Sequence, residues 1–491
     1  MSTDDNLGLK PATVLASMIS QGQLASRELL GHYRHRIDRL NEQINAVVTF
    51  DWERAEQAAI DADQMVADGA ELGPLHGVPI TIKDAIATQG IRSTGGASEL
   101  GDNIATQDAP VVAKLKDAGA IVFGKTNLPR WSGDIQAYNS MFGFTGNPWD
   151  LARTPGGSSG GAAAAVGAGL TGFDIGTDIG GSVRLPAHFS GVCGHKPSFG
   201  VVDQMGYLDH VHGGSTEADV NVFGPLARTV NDLSTIFEVI SGPTADRATG
   251  WRLELPPPRQ RHPEGLRVAA WLDDEVCPVA SEVGGLLEAA ASALEHAGAV
   301  VDRQARPGIG LSGVWDVGLP LISAATSPAR TNEEFNDQVA RADDENQDEV
   351  TRMRARASVI RHRDWLALDR QRQHDRSKWA EFFENHDVML CPVSASAAFT
   401  HRHLGNLYTR SIPIDGVDRP YADLIAWTSF IGYAYLPSTV VPVGLTPQGL
   451  PVGIQVVAPF LEDHTGLAVA AMIENLVGGY QVPPIANLGL A

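Results

Sequence analysis

The stretch TPGGSSGGAAA, residues 154–164, places four glycines and two serines between a proline and a run of alanines. Two overlapping windows in it fit the G-x-S-x-G pattern of serine hydrolases, one centred on Ser158 and one on Ser159. That pattern predicts a nucleophilic serine on a sharp strand-to-helix turn. It is weak evidence here, because a chain with 52 glycines produces such a match easily. The stretch therefore raises the question of which serine, if either, attacks a substrate.

Length and charge restrict the class of protein. A chain of 491 residues has room for one large α/β domain or for two or three smaller ones. It carries 37 basic and 58 acidic residues, a formal net charge of −21, and an acidic surface of this size repels phosphate backbones. We therefore expect no nucleic-acid partner.

The cysteines and the N-terminal residues predict a location. Three cysteines without a C-x-x-C pair are too few to cross-link such a chain, which is typical of a reducing compartment. The first ten residues lack a basic and apolar signal pattern. No apolar run approaches the roughly 20 residues that a bilayer requires. We expect a cytoplasmic protein without a membrane partner.

Apolar periodicity indicates alternating helices and strands. Helical spacing covers residues 11–48 with a glycine break near residue 22, whereas residues 73–86, GPLHGVPITIKDAI, resemble a loop that leads into a buried strand carrying Lys83. Residues 330–385 are highly charged but retain apolar residues at helical intervals, which predicts a charged helical excursion with one packed face. Without repeats or linkers, residues 1–491 are expected to form a single domain.

Two other patterns carry little weight. Gly167, Gly169 and Gly172 spell G-x-G-x-x-G, but they end an alanine-rich helix, whereas a dinucleotide site needs them at the start of one. The pair His210 and His212 lacks a third metal ligand nearby, so an exposed loop is the better interpretation. We expect neither a cofactor nor a metal.

The chain resembles the amidase signature family through three matched segments. These are the glycine-serine stretch 154–161, the segment GTDIGGSVRLPA at residues 176–187, and the strand motif GVPITIKD. The resemblance continues, in the same order, through GKTNLP, FGFTGNPWD, CGHKPSFG and LPVGIQVVAP. It implies one large α/β domain with a central mixed β-sheet covered by helices on both sides.

The resemblance also implies a catalytic triad. Lys83 corresponds to the base, Ser158 to a bridging serine preceded by a cis peptide bond, and Ser182 to the nucleophile. Serine is a weak nucleophile until a neighbour removes its proton. Lysine does this only when neutral, so burial has to lower its pKa well below about 10.4. A hydroxyl between the two can accept one proton while it donates another.

Further residues have supporting roles by the same resemblance. Backbone N–H groups around the nucleophile are expected to form the oxyanion hole; they belong to Ile179, Gly180, Gly181 and Ser182. Ser159 is expected to hydrogen-bond near the lysine. Asp178 and Arg184 are expected to brace the loop, although an ordinary loop salt bridge remains an equal interpretation. Cys193 is expected to be a buried core residue.

The acyl pocket is expected beside Trp131, Ser132 and Gly133. Arg130 departs from the acidic or amide residue that many family members have there, so no role is transferred to it. Nearby aromatic residues suggest an apolar pocket, although aromatics most often fill cores. We therefore expect an amidase that cleaves an apolar acyl or aryl amide, a small molecule, to the acid plus ammonia or an amine.

Three alternatives remain open at this stage. A carbamate or ester hydrolase would use the same triad. A glutaminase subunit of a tRNA-dependent amidotransferase belongs to the same superfamily. A non-catalytic ligand-binding homologue would have no need of the relay. A homodimer is also left open, since dimers are common among soluble enzymes.

Overall fold

Strands and helices alternate along the chain. The computed structural model describes residues 6–244, 246–347, 349–405 and 409–487. The strands are β1 Val47–Phe50, β2 Pro79–Lys83, β3 Ile121–Thr126, β4 Tyr138–Asn139, β5 Gly143–Phe144, β6 Asp174–Asp178, β7 Cys193–Lys196, β8 Val222–Ala227, β9 Arg267–Ala270, β10 Val300–Asp302, β11 Val388–Pro392, β12 Ser411–Ile414, β13 Val417–Pro420, β14 Ser438–Leu445 and β15 Pro451–Val457.

Helices precede, follow and connect these strands. They are α1 Ala12–Ser20, α2 Ser26–Ile44, α3 Trp52–Ala67, α4 Pro110–Asp117, α5 Gly160–Gly167, α6 Arg184–Ser190, α7 Val230–Ile240, α8 Ser281–His296, α9 Leu319–Ala325, α10 Asn332–Asp343, α11 Glu349–Ser358, α12 His362–Asn385, α13 Ala426–Gly432, α14 Asp463–Val477 and α15 Pro484–Asn487. In the described part of the chain, no helix is both long enough and apolar enough to cross a membrane.

One large mixed sheet organises the fold. Within the described residues it has 11 strands in the order β1-β3-β2-β6-β8-β7-β14-β15-β11-β9-β10. β2 is parallel to both β3 and β6, whereas β6 is antiparallel to β8 and β14 is antiparallel to β15. β2 and β6 are buried along their whole length, as expected for strands covered on both faces. The predicted α/β fold with a central mixed sheet between helices is confirmed.

The glycine-serine stretch leads into a helix packed tightly against its neighbours. Every residue of α5 is buried, and its side chains are no larger than valine. A Cβ atom on Gly161 would lie 2.4 Å from the backbone nitrogen of Asn127, just after β3. Only glycine permits this approach, which brings the start of α5 against the end of β3.

The segment that follows β6 becomes helical within a few residues. β6 ends at Asp178, and helix α6 begins at Arg184. The Oδ2 atom of Asp178 accepts the N–H groups of Val183 and Arg184 at 3.1 and 3.3 Å, so the carboxylate satisfies free donors at the helix start. Pro186 fits within this first turn because backbone N–H groups there have no carbonyl partner inside the helix, so the N–H that proline lacks is not missed.

The charged segment consists of α10, α11 and α12. As predicted, α12 has one packed face, on which Trp379, Phe382 and Phe383 are buried. Arg372 of the same helix forms an ion pair of 2.9 Å with Asp219, which fastens α12 to a distant loop. That residues 330–385 form an excursion from a single domain spanning 1–491 stays a prediction.

Replacing Gly161 by alanine tests the close packing at the start of α5. Because the new Cβ would meet the backbone of Asn127, we expect a loss of about 1–3 kcal/mol in the free energy of unfolding, measured in urea. Gly284→Ala is the matched control, since a Cβ on Gly284 in α8 meets nothing within 4 Å. The control should be neutral or stabilising by up to about 1 kcal/mol. Equal stability of the two variants would contradict the packing argument.

Candidate active site

The end of strand β2 brings a lysine to two hydroxyl groups. Nζ of Lys83 lies 2.6 Å from Oγ of Ser158 and 2.7 Å from Oγ1 of Thr177. Lys83 and Ser158 are both fully buried. The first of these contacts joins two residues that the sequence selected, whereas Thr177 was not singled out, although it lies within the matched segment 176–187.

The environment of Lys83 favours a neutral amine. Burial lowers its pKa to about 7, and attraction to Asp178 and Asp174 only partly opposes this effect. At neutral pH a large share of Lys83 is therefore uncharged, with a lone pair available to accept a proton.

The serine pair is fixed by backbone contacts. The peptide bond between Gly157 and Ser158 is cis. A Cβ on Gly157 would lie 2.5 Å from the nitrogen of Gln136, so this backbone lies directly against another segment. Ser159 does not contact the lysine itself: its Oγ accepts the N–H of Thr177 at 3.2 Å and donates to the Thr177 carbonyl at 3.3 Å. Ser159 thus holds the threonine that contacts Lys83.

Ser182 lies beside this pair on the following loop. It is 7% exposed, and its carbonyl accepts the N–H of Ser159 at 3.2 Å. The N–H groups of Ile179, Gly180 and Ser182 donate to no acceptor among the described residues. The expectation does not hold for Gly181, because its N–H already donates to Oδ1 of Asp178 at 2.9 Å. Three of the four anticipated donors therefore have no acceptor among the described residues.

Asp178 and Arg184 form a two-point ion pair that is fully buried. The guanidinium donates to Oδ1 at 2.8 Å and to Oδ2 at 2.9 Å. The pKa of Asp178 is lowered: burial alone would raise it, but the charge and hydrogen bonds of Arg184 and the positive charge of Lys196 outweigh that effect. Arg184 also donates to the carbonyl of Thr428. The pair fixes the loop that carries Ser182, and it is at the same time an ordinary loop salt bridge, so both interpretations apply.

Comparison with known proteins identifies the family. The model of the Amidase family matches residues 28–467. The chain belongs to the amidase family. It is therefore a hydrolase of amide C–N bonds.

Individual relatives extend this result. The chain is 34% identical to an indoleacetamide hydrolase of Bradyrhizobium diazoefficiens, over 94% of this chain and 86% of the relative. It is 32% identical to an acylamidase of Rhodococcus erythropolis, over 96% of each chain. The crystal structure of a bacterial aryl acylamidase of the amidase signature family superimposes with a TM-score of 0.81 at 25% identity, over 97% and 98% of the two chains. Glutamyl-tRNA(Gln) amidotransferases are also represented among the relatives, at 30% identity for the protein of Thermosynechococcus vestitus.

The amidase places the expected acyl-pocket residues in a short turn. Trp131 and Ser132 adopt left-handed φ angles of 52° and 57° within a 3₁₀ turn, and the N–H of Gly133 closes the turn on the carbonyl of Arg130. Trp131 is buried, and a Cβ on Gly95 would lie 3.0 Å from its ring. Arg130 lies over that ring and pairs with Glu99 on the surface.

A buried tyrosine lies near both this turn and Lys83. Burial raises the pKa of Tyr207 to about 12, and the nearby hydroxyls of Ser132 and Thr177 oppose the rise. The hydroxyl of Ser132 has no hydrogen-bond partner, so the tyrosine is a neighbour of the turn and does not bridge it to Thr177. Sequence reasoning missed it, because it lies in an irregular glycine-rich segment without a recognisable pattern.

Two isoleucines from distant parts of the chain face the nucleophile loop. A Cβ on Gly180 would lie 3.5 Å from Oγ of Ser429, 3.8 Å from Cδ1 of Ile322 in α9 and 3.9 Å from Cδ1 of Ile425. Sequence analysis had suggested aromatic residues for such a surface, but Trp427 and Tyr433 are fully buried and serve the core. The wall beside the loop is mainly aliphatic, and its one hydroxyl, that of Ser429, donates to the carbonyl of Gly180.

The remaining candidates behave as core or surface groups. Cys193 is buried, and burial together with the adjacent Glu474 raises the pKa of its thiol well above the usual value, as expected for a core cysteine. His210 pairs with the neighbouring Asp209. No group of three or more histidine, cysteine or acidic side chains in the described ranges is arranged to hold a metal ion.

The Asp178→Asn variant tests how strongly the ion pair holds the amidase loop. Removing one partner of a buried pair leaves an uncompensated charge, so we expect a loss of about 3–5 kcal/mol in the free energy of unfolding. Asp364→Asn is the matched control, because its pair with Arg361 is exposed, and such pairs contribute about 0–1 kcal/mol. Urea unfolding of both variants measures the difference; equal losses would contradict a structural role of the buried pair.

Proposed function

We propose that this amidase hydrolyses small carboxylic amides with an apolar acyl or aryl group, through an acyl-enzyme on Ser182. The observation that carries the proposal is the 2.6 Å contact between Nζ of Lys83 and Oγ of Ser158, with both groups fully buried. A lysine with a pKa of about 7 can accept a proton at neutral pH. Burial lowers the pKa of Lys196 to about 7 as well, so it is the contact with Ser158 that distinguishes Lys83.

In the acylation step, Ser158 passes a proton from the nucleophile to the base. Oγ of Ser182 attacks the carbonyl carbon while its proton moves to Ser158, and the proton of Ser158 moves to neutral Lys83. The tetrahedral intermediate then collapses, and the C–N bond breaks. The leaving nitrogen takes a proton from Ser158, which regains one from the Lys83 ammonium, so the product is ammonia or an amine.

Deacylation repeats the relay with water. The water gives a proton to Ser158, which passes its own to neutral Lys83, as the water oxygen attacks the acyl carbon. The ester bond to Ser182 then breaks while Oγ of Ser182 takes a proton from Ser158, which regains one from the Lys83 ammonium, and the acid is released. In both steps the negative oxygen faces the free N–H groups of Ile179, Gly180 and Ser182. These donors are held in advance by Asp178 and Arg184, so little reorganisation is needed when charge develops.

The aliphatic wall supports an apolar acyl group. Ile322 and Ile425 lie beside the backbone of Gly180, where the acyl chain of a substrate bound at Ser182 would pass. Methyl groups offer no partner for a carboxylate or an ammonium, so a charged substrate would lose its hydration without compensation. The names of two relatives, an indoleacetamide hydrolase and an aryl acylamidase, agree with aromatic or apolar acyl groups.

The alternatives remain distinguishable by experiment. A glutaminase within an amidotransferase has to accommodate the charged groups of glutamine, which the isoleucine wall disfavours. Esters and carbamates present the same carbonyl to the same triad, so a substrate panel decides between them. A ligand-binding homologue without catalysis would give no acyl-enzyme. A cytoplasmic location and a homodimer stay predictions.

Covalent labelling tests the nucleophile. A fluorophosphonate probe should label the wild-type enzyme, Ser182→Ala should lose labelling completely, and Ser158→Ala should be labelled at least about 100-fold more slowly, in line with the loss of general-base assistance. Ser140→Ala, an exposed serine, is the matched control and should be labelled at the wild-type rate. Full labelling of Ser182→Ala, read by intact mass, would overturn the assignment.

A substrate panel tests the acyl preference. We expect kcat/KM for an aryl or medium-chain acyl anilide to exceed that for malonamate or free glutamine by at least about 100-fold, because the methyl wall cannot pair a charge. Ile322→Ala should narrow this preference, whereas Ile104→Ala, at a site that is 60% exposed, should leave it unchanged. Comparable kcat/KM values for the anilide and for glutamine would contradict the proposal. Comparing kcat/KM for esters and carbamates in the same panel with that for the amides shows which leaving group the enzyme prefers.

A further inference from the structure

Besides Asp178, a second carboxylate, that of Asp174, acts electrostatically on Lys83. Asp174 opens strand β6 and is fully buried. Its Oδ2 atom accepts hydrogen bonds from Oγ1 of Thr81 at 2.6 Å and from Oγ1 of Thr126 at 3.1 Å. Its Oδ1 atom has no hydrogen-bond partner, and no salt bridge among the described residues includes Asp174. A buried carboxylate with so few partners needs an explanation.

Strand register places Asp174 on the side of the sheet that carries Lys83. Thr81 in β2 pairs with Asp174 in β6, and the hydrogen bond between their side chains shows that both point to one face. Side chains alternate along a strand, so Lys83, two residues after Thr81, points to that face as well. Thr126, the third member of the cluster, pairs with Lys83 across β2 and β3.

The carboxylates near the lysine differ in the cation that acts on them. Asp178 is paired at two points with Arg184. Asp84 accepts hydrogen bonds from Thr94 and Gly96, its Oδ1 atom has no hydrogen-bond partner, and the cation that acts on it is Lys125. Asp174 has an unpartnered oxygen as well, but the charge of Lys83 acts on it in addition to that of Lys125.

We propose that Asp174 is a positioning residue that acts through Lys83, attracting the ammonium that forms when Lys83 takes the proton of Ser158. The inference deepens the proposed function and rests on it, because it requires Lys83 to be the base. Neutral Lys83 gains a full positive charge during acylation in a site from which water is excluded. A carboxylate on the same face stabilises that charge without contacting the substrate.

The acid–base behaviour of the two groups fits this role. Burial raises the pKa of Asp174 to about 7 and lowers that of Lys83 to about 7. The groups that face Lys83 are Asp178 and Asp174, and those that face Asp174 are Lys125 and Lys83. Two groups that interact and titrate in one range lose their protons as a coupled pair. Removing the carboxylate should therefore lower the pKa of Lys83.

The pH dependence of Asp174→Asn tests this directly. In the wild-type enzyme kcat/KM for an anilide should rise with pH through about 7 as Lys83 becomes neutral. Asparagine keeps the shape but removes the charge, so the rise should move to lower pH by about one unit. The plateau kcat should fall by about tenfold, because the ammonium is less stabilised. A purely structural residue would lower the rate without moving the rise.

Asp84→Asn and Thr126→Val are the companion variants. Asp84→Asn also removes a buried carboxylate, but one that faces Lys125. In this variant kcat/KM should therefore rise at the same pH as in the wild-type enzyme. Thr126→Val removes one hydrogen bond to Asp174, disfavours the ionised form and should shift the rise in the same direction by a smaller amount. It keeps the inference testable if Asp174→Asn does not fold.

The outcomes separate this inference from the proposed function. If Lys83→Ala is inactive but neither Asp174→Asn nor Thr126→Val moves the rise, the role of Asp174 is wrong while the triad stands. An equal shift in Asp84→Asn would also overturn that role. If Lys83→Ala keeps wild-type activity, the proposed function itself fails.

Discussion

The carboxylate of Asp178 is the point on which the catalytic loop depends. It accepts three backbone N–H groups, from Gly181, Val183 and Arg184, together with the guanidinium of Arg184. Arg184 in turn reaches Thr428 and Gln455, so the loop after β6 is connected to α13 and β15. The N–H groups of Ile179, Gly180 and Ser182 have no acceptor among the described residues, while this one carboxylate fixes the chain around them. A loop that was free to relax would pair these donors, and the oxyanion site that we propose would be lost.

Close backbone packing is the second constraint. Gly161 lets α5 lie against Asn127, and Gly157, just before the helix, lets the chain lie against Gln136. These two contacts bring Ser158 to the end of β2. The hydroxyl groups of Ser158 and Thr177 then occupy both sides of the lysine amine. Burial, which the same packing causes, sets the protonation of that amine. The same close packing therefore sets both the position of Ser158 and the pKa of Lys83.

Sequence reasoning reached the fold and selected most residues of the candidate site because both depend on local patterns, although the roles of those residues stay predictions. Lys83, Ser158 and Ser182 lie in short motifs of fixed spacing, and the buried strands have apolar runs. The sequence motifs do not show which backbone N–H groups donate to a given carboxylate. For this reason they did not predict that the N–H of Gly181 pairs with Asp178. They also could not bring together Asp174, Thr81 and Thr126, which meet only through strand register. Ile322 and Ile425 were missed because they reach the loop from remote segments.

The position of these isoleucines in the chain divides the site into two parts that come from separate segments. The groups to which we assign the chemistry come from residues 83–182, whereas the aliphatic wall comes from α9 and from the 3₁₀ turn before α13. Substitutions in the wall can alter which molecules are accepted without disturbing proton transfer. Such an arrangement allows the same catalytic residues to be kept while substitutions of a few side chains, remote in the sequence, change the range of substrates.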